Sequence, residues 1–192
     1  MKLIAIFASG SGTNAQKIIE YLSASKDIFV DSLWSNNENA YALIRAEKLG
    51  IETFTFDQEE FYHSNEILDK LTERRIDMIV LAGFLWLVPR NLTETFTVIN
   101  IHPALLPKYG GKGMYGLNVH KAVLASKDKE SGISIHRVNS RYDEGDIIFQ
   151  ATCPVQRNDT PESLAARVHE LEHLHYSRVI EEVLRGEDDD NF

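Results

Sequence analysis

Short apolar runs alternate with amphipathic segments along residues 1–101. Continuous apolar runs bounded by polar residues are typical of strands buried on both faces of a parallel sheet. The predicted strands are residues 3–8, 28–34, 51–56, 76–82 and 98–101. Apolar residues at helical spacing predict helices over 14–25, 39–49 and 59–74. This alternation predicts βαβ units, and therefore an α/β, three-layer fold with a mostly parallel sheet and a Rossmann-like N-terminal half.

The pattern changes after residue 104. Residues 105–116 contain four glycines and predict a mobile loop. Beyond it we expect a short helix over 117–126 and a strand pair over 132–138 and 146–155. The last helix has the clearest start, with Asp159 or Thr160 as its cap and Pro161 in its first turn, and Gly186 ends it.

Composition limits the class of protein. The chain has 192 residues, of which 43% are apolar, enough for one domain over 1–185. Residues 186–192 are predicted to be an acidic, disordered tail. A net charge of −9 argues against nucleic acid as a partner. The longest apolar run, 78–88, is too short for a membrane span.

The N-terminus and the cysteine count predict a cytoplasmic protein, and we expect a monomer or a weak homodimer. The N-terminus lacks the apolar core and cleavage site of a signal peptide. Cys153 is the one cysteine of the sequence, so no internal disulfide is possible.

A glycine-rich turn lies between the first predicted strand and helix. Glycines allow the backbone to approach a ligand closely, and free amides at a helix start attract an anion. Residues 10–15 also fit the dinucleotide fingerprint G-x-G-x-x-A, but such a site needs an acidic residue about 20 residues further on. That position reads Ser35-Asn36-Asn37. We therefore favour a phosphate monoester over NAD, with a plain tight turn as the alternative.

A second candidate site lies at the end of the fifth predicted strand. Asn100 is the polar exception in that strand, and His102 stands where Pro103 ends it. A side-chain amide can donate to a developing oxyanion, and an imidazole can move protons near neutral pH. The pair is typical of chemistry at a carbonyl, although a structural Asn and His buried in the core would give the same sequence pattern.

Two further groups could support that pair. The loop 141–148 supplies Asp143, Glu144 and Asp146, and a carboxylate there could reach His102 and raise its pKa. The residues alone do not choose among the three.

The segment 169–173 matches H-E-x-x-H, the pattern of zinc proteases, but little chain follows to supply a third ligand. We prefer Glu172 or His169 as a ligand contact. His63, His120 and His136 are interpreted as surface or supporting residues, although the strand register could bring His136 beside His102.

Together these segments resemble the glycinamide ribonucleotide formyltransferase family, the folate-dependent enzymes of purine synthesis. The resemblance covers the chain from residue 3 to about 184, and the five motifs in this order are highly specific. They are Ser9-Gly-Ser-Gly-Thr-Asn14, Val80-Leu-Ala-Gly-Phe84, Asn100-Ile-His-Pro-Ala-Leu-Leu-Pro-Lys-Tyr109, Gly132-Ile-Ser-Ile-His136 with Tyr142-Asp-Glu-Gly145, and Ala166-Arg-Val168 followed by Glu172-His173.

The resemblance implies formyl transfer from 10-formyltetrahydrofolate to the amine of glycinamide ribonucleotide, without a metal. It also implies that residues 1–101 form a nucleotide-binding half and residues 102–185 a folate and catalytic half. Asn100 would stabilise the oxyanion, His102 would be proton donor and electrostatic stabiliser, and Asp143 would orient His102 and raise its pKa. The other implied contacts are Gly12, Thr13 and Asn14 with the phosphate, Glu172 and His169 with the rest of the ribonucleotide, and Leu85, Trp86, Leu87, Val88 and Asn100 with the folate. A cis peptide before Pro107 is also expected.

The chain departs from the family pattern in two places that concern the folate contacts. Residues 110–116 replace a Pro-Gly and His-bearing segment, and Leu85-Trp86-Leu87 replaces a segment that often has a basic residue. The alternatives are formyltetrahydrofolate deformylase, methionyl-tRNA formyltransferase, an NAD-binding oxidoreductase and a non-catalytic nucleotide-binding module. The first would be expected to have an extra N-terminal regulatory domain, the second a C-terminal nucleic-acid-binding domain with a basic surface, and the third the acidic residue of an NAD site. The fourth would keep the glycine-rich turn but would not need Asn100, His102 and Asp143 together.

Overall fold

The structure, a computed structural model, describes residues 1–186. The tail predicted at 186–192 lies outside the described residues, apart from Gly186. The strands are Lys2–Phe7 (β1), Ile28–Ser35 (β2), Glu52–Thr55 (β3), Met78–Leu81 (β4), Thr97–His102 (β5), Glu130–Arg137 (β6) and Ile147–Pro154 (β7). The helices are Thr13–Leu22 (α1), Tyr41–Lys48 (α2), Gln58–Tyr62 (α3), Glu66–Glu73 (α4), Arg90–Thr95 (α5), Leu117–Ser126 (α6) and Pro161–Arg185 (α7).

The strands form one sheet in the order β3-β2-β1-β4-β5-β6-β7. The pairs β1–β2, β1–β4 and β2–β3 are parallel, and the pair β6–β7 is antiparallel. The prediction of an α/β fold with a mostly parallel sheet is therefore confirmed. Within residues 1–186, no helix is both long enough and apolar enough to cross a membrane.

The chain forms two compact units, Met1–Ile99 and the residues from Asn100 onward. The division falls two residues before the expected one between the two halves, and the single-domain interpretation stays a prediction. In the first unit β1 is wholly buried from Ile4 to Phe7, as its unbroken apolar run predicted. Phe7 stacks on Trp34 and contacts Phe56, Phe61 and Phe84.

The helix predicted over 59–74 is wrong, because two helices occupy that segment. Asp57 starts α3 with a reciprocal capping box to Glu60. The Ser64 hydroxyl then donates to the Glu60 carbonyl at 2.9 Å and accepts from the Glu66 amide at 3.2 Å. These side-chain bonds satisfy backbone groups that a continuous helix would have paired, so the chain breaks and restarts.

The last helix confirms its predicted start and end. The Thr160 side chain accepts from the Ser163 amide, Pro161 occupies the first turn and Gly186 adopts the left-handed conformation at the C-cap. The short helix α5 was not predicted, and its N-cap Pro89 makes no side-chain capping bond. Helix α6 has the predicted bounds.

Candidate active site

The site in the second unit begins at the C-terminal end of β5. Asn100 and His102 are two residues apart in an extended strand, so their side chains lie on the same face. The side chain of His102 is 4% exposed. The strand ends at His102 because Pro103 has no N–H for the ladder. The segment that follows contains a cis peptide between Leu106 and Pro107, as expected.

Both ring nitrogens of His102 face acceptors. Nε2 lies 2.8 Å from the Tyr109 carbonyl oxygen, which can only accept, so Nε2 carries a proton. Nδ1 lies 3.5 Å from Oδ2 of Asp143. Protonation of Nδ1 would therefore create an ion pair with this carboxylate, and the two acceptors together favour the imidazolium.

Asp143 is the carboxylate that the loop 141–148 directs to His102. Its backbone is left-handed, with φ of 56°, a conformation that aspartate tolerates better than most residues. The Gly111 amide donates to its Oδ2 at 2.9 Å. Gly110 lies against it, since a Cβ there would approach the Asp143 Cβ to 3.1 Å. Glu144 instead pairs with Arg141 at the surface.

The net shift in the pKa of His102 is downward, although Asp143 contributes the upward effect that the resemblance implied. Burial lowers the pKa of His102, and the Asp143 carboxylate and the Tyr109 carbonyl, which raise it, offset only part of that effect. For Asp143, burial acts to raise the pKa, but the contacts with His136, His102 and the Gly111 amide outweigh it and hold the pKa below its ordinary value. The ground state is thus a neutral imidazole beside an ionised carboxylate.

His136 is a site residue that the sequence analysis left among the supporting histidines. Its side chain is 2% exposed, and its Nε2 lies 3.2 Å from the Asn100 Nδ2 and 3.6 Å from Oδ1 of Asp143. Two signals in the sequence pointed to it: its place at the end of the motif Gly132-Ile-Ser-Ile-His136, and the alternation of β6, which places His136 on one face with Ser134. The register of β6 against its neighbours, which tertiary packing sets, decides the contact.

The His136 ring orients the Asn100 amide. Nδ1 of His136 lies 2.8 Å from the Arg137 carbonyl oxygen and must donate to it. The Asn100 group that faces Nε2 of this ring is the side-chain NH₂, at 3.2 Å. This contact uses one N–H of the amide and directs the other away from His136.

A buried polar network supports the backbone beyond His102. The Ser134 hydroxyl donates to the Ala104 carbonyl at 2.7 Å and accepts from the Leu106 amide at 2.9 Å. Gln150 Nε2 lies 2.7 Å from the same hydroxyl and 3.1 Å from the Leu106 carbonyl oxygen. These bonds satisfy the irregular backbone of the segment that follows the strand, which would otherwise be costly to bury.

Glu172 and His169 lie together on α7. The Glu172 carboxylate is buried, and its Oε2 lies 2.6 Å from Nδ1 of His169. This hydrogen bond raises the pKa of His169, and burial opposes it. His173, the second histidine of the H-E-x-x-H match, contacts the His169 ring at 4.0 Å between centroids. Among residues 1–186, no group of three or more metal-ligating side chains lies close enough to hold an ion.

His120 is buried at 4% exposure and is not a surface residue. Burial lowers its pKa, with Glu172 acting in the opposite direction and His102 in the same direction. His63, by contrast, is exposed as expected.

The glycine-rich turn in the first unit leads directly into α1. Gly12 is the N-cap, with φ of 72°, and Thr13 and Asn14 begin the first turn. The Ser9 hydroxyl donates to Oδ1 of Asn36 at 2.7 Å and accepts from the Leu85 amide at 3.0 Å. The turn therefore presents the start of a helix, the arrangement that the phosphate hypothesis requires.

Residues Leu85–Val88, predicted to line a pterin pocket, follow β4. Leu85 is 48% exposed and Val88 is buried. Trp86 packs against an aromatic group formed by Phe56, Phe61, Tyr62 and Phe84. The Leu87 carbonyl accepts from the Tyr62 hydroxyl at 3.1 Å. The assignment of this segment to the folate stays a prediction.

This α/β fold is shared with solved formyltransferase structures. A family model for formyl transferases matches residues 2–180, and the chain belongs to that family.

Several relatives are named as formyltransferases of glycinamide ribonucleotide. The phosphoribosylglycinamide formyltransferase of Haemophilus influenzae is 36% identical over 193 residues, covering 97% of this chain and 89% of that protein. The chloroplastic enzyme of the same name from Arabidopsis thaliana is 42% identical over 93% of this chain, which spans 64% of that longer protein. Glycinamide ribonucleotide transformylase 1 from Symbiobacterium toebii has a similar structure, with a TM-score of 0.88 at 32% identity, covering 97% of this chain and 89% of that one.

Proposed function

We propose that this protein transfers the formyl group of 10-formyltetrahydrofolate to the amine of glycinamide ribonucleotide in purine biosynthesis. The observation that supports this most directly is the cluster of Asn100, His102, His136 and Asp143 within hydrogen-bond or ion-pair distances of one another. A chain of the formyl transferase family with this cluster has the groups that acyl transfer to an amine requires.

The reaction begins when the amine nitrogen attacks the formyl carbon. A carbon–nitrogen bond forms, and the carbonyl electron pair moves to oxygen, which becomes an oxyanion. The free N–H of Asn100 donates to that oxygen, a contact typically worth about 3–4 kcal/mol in the transition state. The bond from carbon to N10 of the folate then breaks, N10 takes a proton, and the amine loses one.

His102 acts in this scheme beside the charge that develops. Because Asp143 and the Tyr109 carbonyl favour the imidazolium, a proton taken up by Nδ1 stays in the site and stabilises the oxyanion electrostatically. To donate a proton to the substrate, His102 would give up its contact with either the Tyr109 carbonyl or the Asp143 carboxylate. General acid–base catalysis of this kind contributes about 10²–10⁴-fold.

The substrate contacts are assigned as follows. Gly12, Thr13 and Asn14 bind the ribonucleotide phosphate, and Glu172 with His169 binds its sugar or glycinamide portion. The segment 85–88 and Asn100 bind the folate. Both substrates are small molecules. We also expect the protein to be a monomer or a weak homodimer in the cytoplasm.

The test follows the folate absorbance of the purified protein with 10-formyltetrahydrofolate, with and without glycinamide ribonucleotide. Turnover that requires the ribonucleotide supports the proposal. Folate turnover in its absence would identify a hydrolase, and no turnover in either mixture would refute both.

A further inference from the structure

Helix α2 contacts the glycine-rich turn of the first unit directly. A Cβ added to Gly12 would lie 2.5 Å from Cα of Ala42 and 2.6 Å from its Cβ, so only glycine fits there. The Ala42 amide donates to the Gly10 carbonyl at 3.0 Å. The first turn of α2 therefore limits the conformations that the glycine-rich turn can adopt.

Arg45 adds a second fixed point. Its Nε donates to the Ser11 carbonyl at 2.9 Å. Its Nη1 donates to the Gln16 side chain in α1, and its guanidinium lies over the Tyr41 ring, 4.8 Å from the centroid. A planar group held by two hydrogen bonds and an aromatic face has little freedom to move away.

These two contacts set the direction of two successive amides. In a trans peptide the C=O and N–H bonds point in opposite directions. Because the carbonyls of Gly10 and Ser11 are both held by α2, the N–H groups of Ser11 and Gly12 must both point away from α2. Successive amides turned to one side form a concavity that binds anions.

We infer that Arg45 is a positioning residue for phosphate recognition: it holds the Ser11 carbonyl and thereby directs the Gly12 amide at the ligand's phosphate. This inference rests on the proposed function, in which that turn binds the ribonucleotide phosphate. Arg45 acts through the backbone, because its guanidinium donors bind the Ser11 carbonyl and the Gln16 side chain.

The experiment compares three single variants. Arg45→Met keeps the apolar stem and removes both donors, Arg45→Lys keeps a charge without the fork, and Lys48→Met removes an exposed charge from the same helix as a control. The measured quantities are kcat, the KM for each substrate, and the inhibition constant of inorganic phosphate.

Arg45→Met is expected to raise the KM for glycinamide ribonucleotide and the inhibition constant of phosphate about tenfold. This is the change in a binding constant expected from the loss of one charge-assisted hydrogen bond. The kcat and the KM for the folate stay within twofold of wild type. Arg45→Lys behaves like Arg45→Met, because one ammonium does not replace the two directed donors. Lys48→Met behaves like wild type.

Three results would overturn the inference. The first is a wild-type KM in Arg45→Met. The second is full recovery in Arg45→Lys, which would mean that the charge alone matters. The third is an equal loss toward glycinamide riboside, which has no phosphate, because such a loss would reflect general damage.

Calorimetry separates this inference from the proposed function. The affinity of glycinamide ribonucleotide for the wild type and Arg45→Met is measured without folate. If the affinities differ tenfold but the wild type shows no formyl transfer, the role of Arg45 holds and the proposed reaction fails. If the wild type transfers formyl groups and the affinities are equal, the proposed reaction holds and the role of Arg45 fails.

Discussion

At the scale of single residues, the charge of His102 is set by opposing effects. Burial removes water from the imidazolium, and the nearby carboxylate of Asp143 replaces only part of that solvation. A ring that is neutral at rest and surrounded by acceptors becomes charged when a proton is released beside it. That property suits a group that stabilises a transient charge.

The first prediction concerns the titration of His102. Its midpoint, followed by NMR of the labelled imidazole, is expected below the ordinary value of about 6.5. In Asp143→Asn it is expected to fall further, since the carboxylate raises the pKa of His102. A midpoint above 6.5 in the wild type, or a rise in Asp143→Asn, would contradict this account.

The second prediction concerns the reacting groups. Asn100→Ala is expected to lower kcat by about 10²–10³-fold, the typical effect of losing one oxyanion donor. His102→Ala and Asp143→Ala are expected to abolish most turnover while far-UV circular dichroism stays unchanged. His63→Ala, at an exposed histidine, is the matched control. A near-normal kcat in folded His102→Ala would remove His102 from the mechanism.

At the scale of elements, the loop between β6 and β7 places the carboxylate. Gly145 is required there for space, because a Cβ would lie 1.7 Å from the Arg137 carbonyl oxygen. The loop can therefore close against the end of β6 only with glycine at this position. Asp143, two residues earlier, depends on that closure.

The third prediction follows from this contact. Gly145→Ala is expected to displace the loop and lower kcat at least tenfold, with secondary structure retained by circular dichroism. Glu144→Ala, at a neighbouring exposed side chain, is expected to keep wild-type kcat. Equal activity of Gly145→Ala and wild type would show that the loop tolerates the methyl group.

The fourth prediction concerns the start of α7. Arg167 binds both carboxylate oxygens of Asp159, at 2.8 and 2.9 Å, and the Pro154 carbonyl at 2.8 Å. The hydrogen bonds with Arg167 hold the pKa of Asp159 well below its ordinary range. A depressed carboxylate pKa contributes stability above the unfolded value of about 3.9, and that stability is lost as the pH falls through it toward the folded pKa.

Asp159→Asn is therefore expected to lower the free energy of unfolding by about 1–2 kcal/mol at pH 7. The difference from wild type, measured by urea unfolding, should shrink as the pH is lowered below about 4. Glu94→Gln, in the exposed pair with Arg90, is the control and should change stability by less than about 0.5 kcal/mol. A difference that grows with acidity would refute the argument.

At the scale of the whole molecule, ligand binding is linked to stability. A ligand that binds only the native state at 100 times its dissociation constant stabilises by about 2.7 kcal/mol. For a chain of this size that corresponds to a rise in melting temperature of roughly 5–10 °C. Binding therefore has a readout that does not depend on turnover.

The fifth prediction uses this readout. Glycinamide ribonucleotide and a non-reactive folate analogue are each expected to raise the melting temperature, whereas NAD is expected to leave it unchanged. Scanning calorimetry at several ligand concentrations tests this. A rise with NAD alone would favour a dinucleotide site at the glycine-rich turn.

Much of this fold was predictable because the signals are local. Continuous apolar runs identified the buried strands, and the Thr160 cap with Pro161 identified the start of α7. The break between α3 and α4 was missed, because it depends on the hydrogen bonds of the Ser64 side chain with the Glu60 carbonyl and the Glu66 amide. The helix propensity of residues 59–74 did not indicate that side-chain hydrogen bonds to the backbone would interrupt the helix.

The α/β class, the order of most elements and the residue types available for chemistry could all be inferred from the amino-acid sequence. It could name Asn100 and His102, because they interrupt a buried strand. The family resemblance already named Asp143 as the partner of His102. Tertiary packing brings Asp143, held by Gly111, and His136, 34 residues from His102 along the chain, to that pair. It also decided the charge of His102, because burial and neighbouring charges are properties of three-dimensional surroundings and not of spacing along a chain.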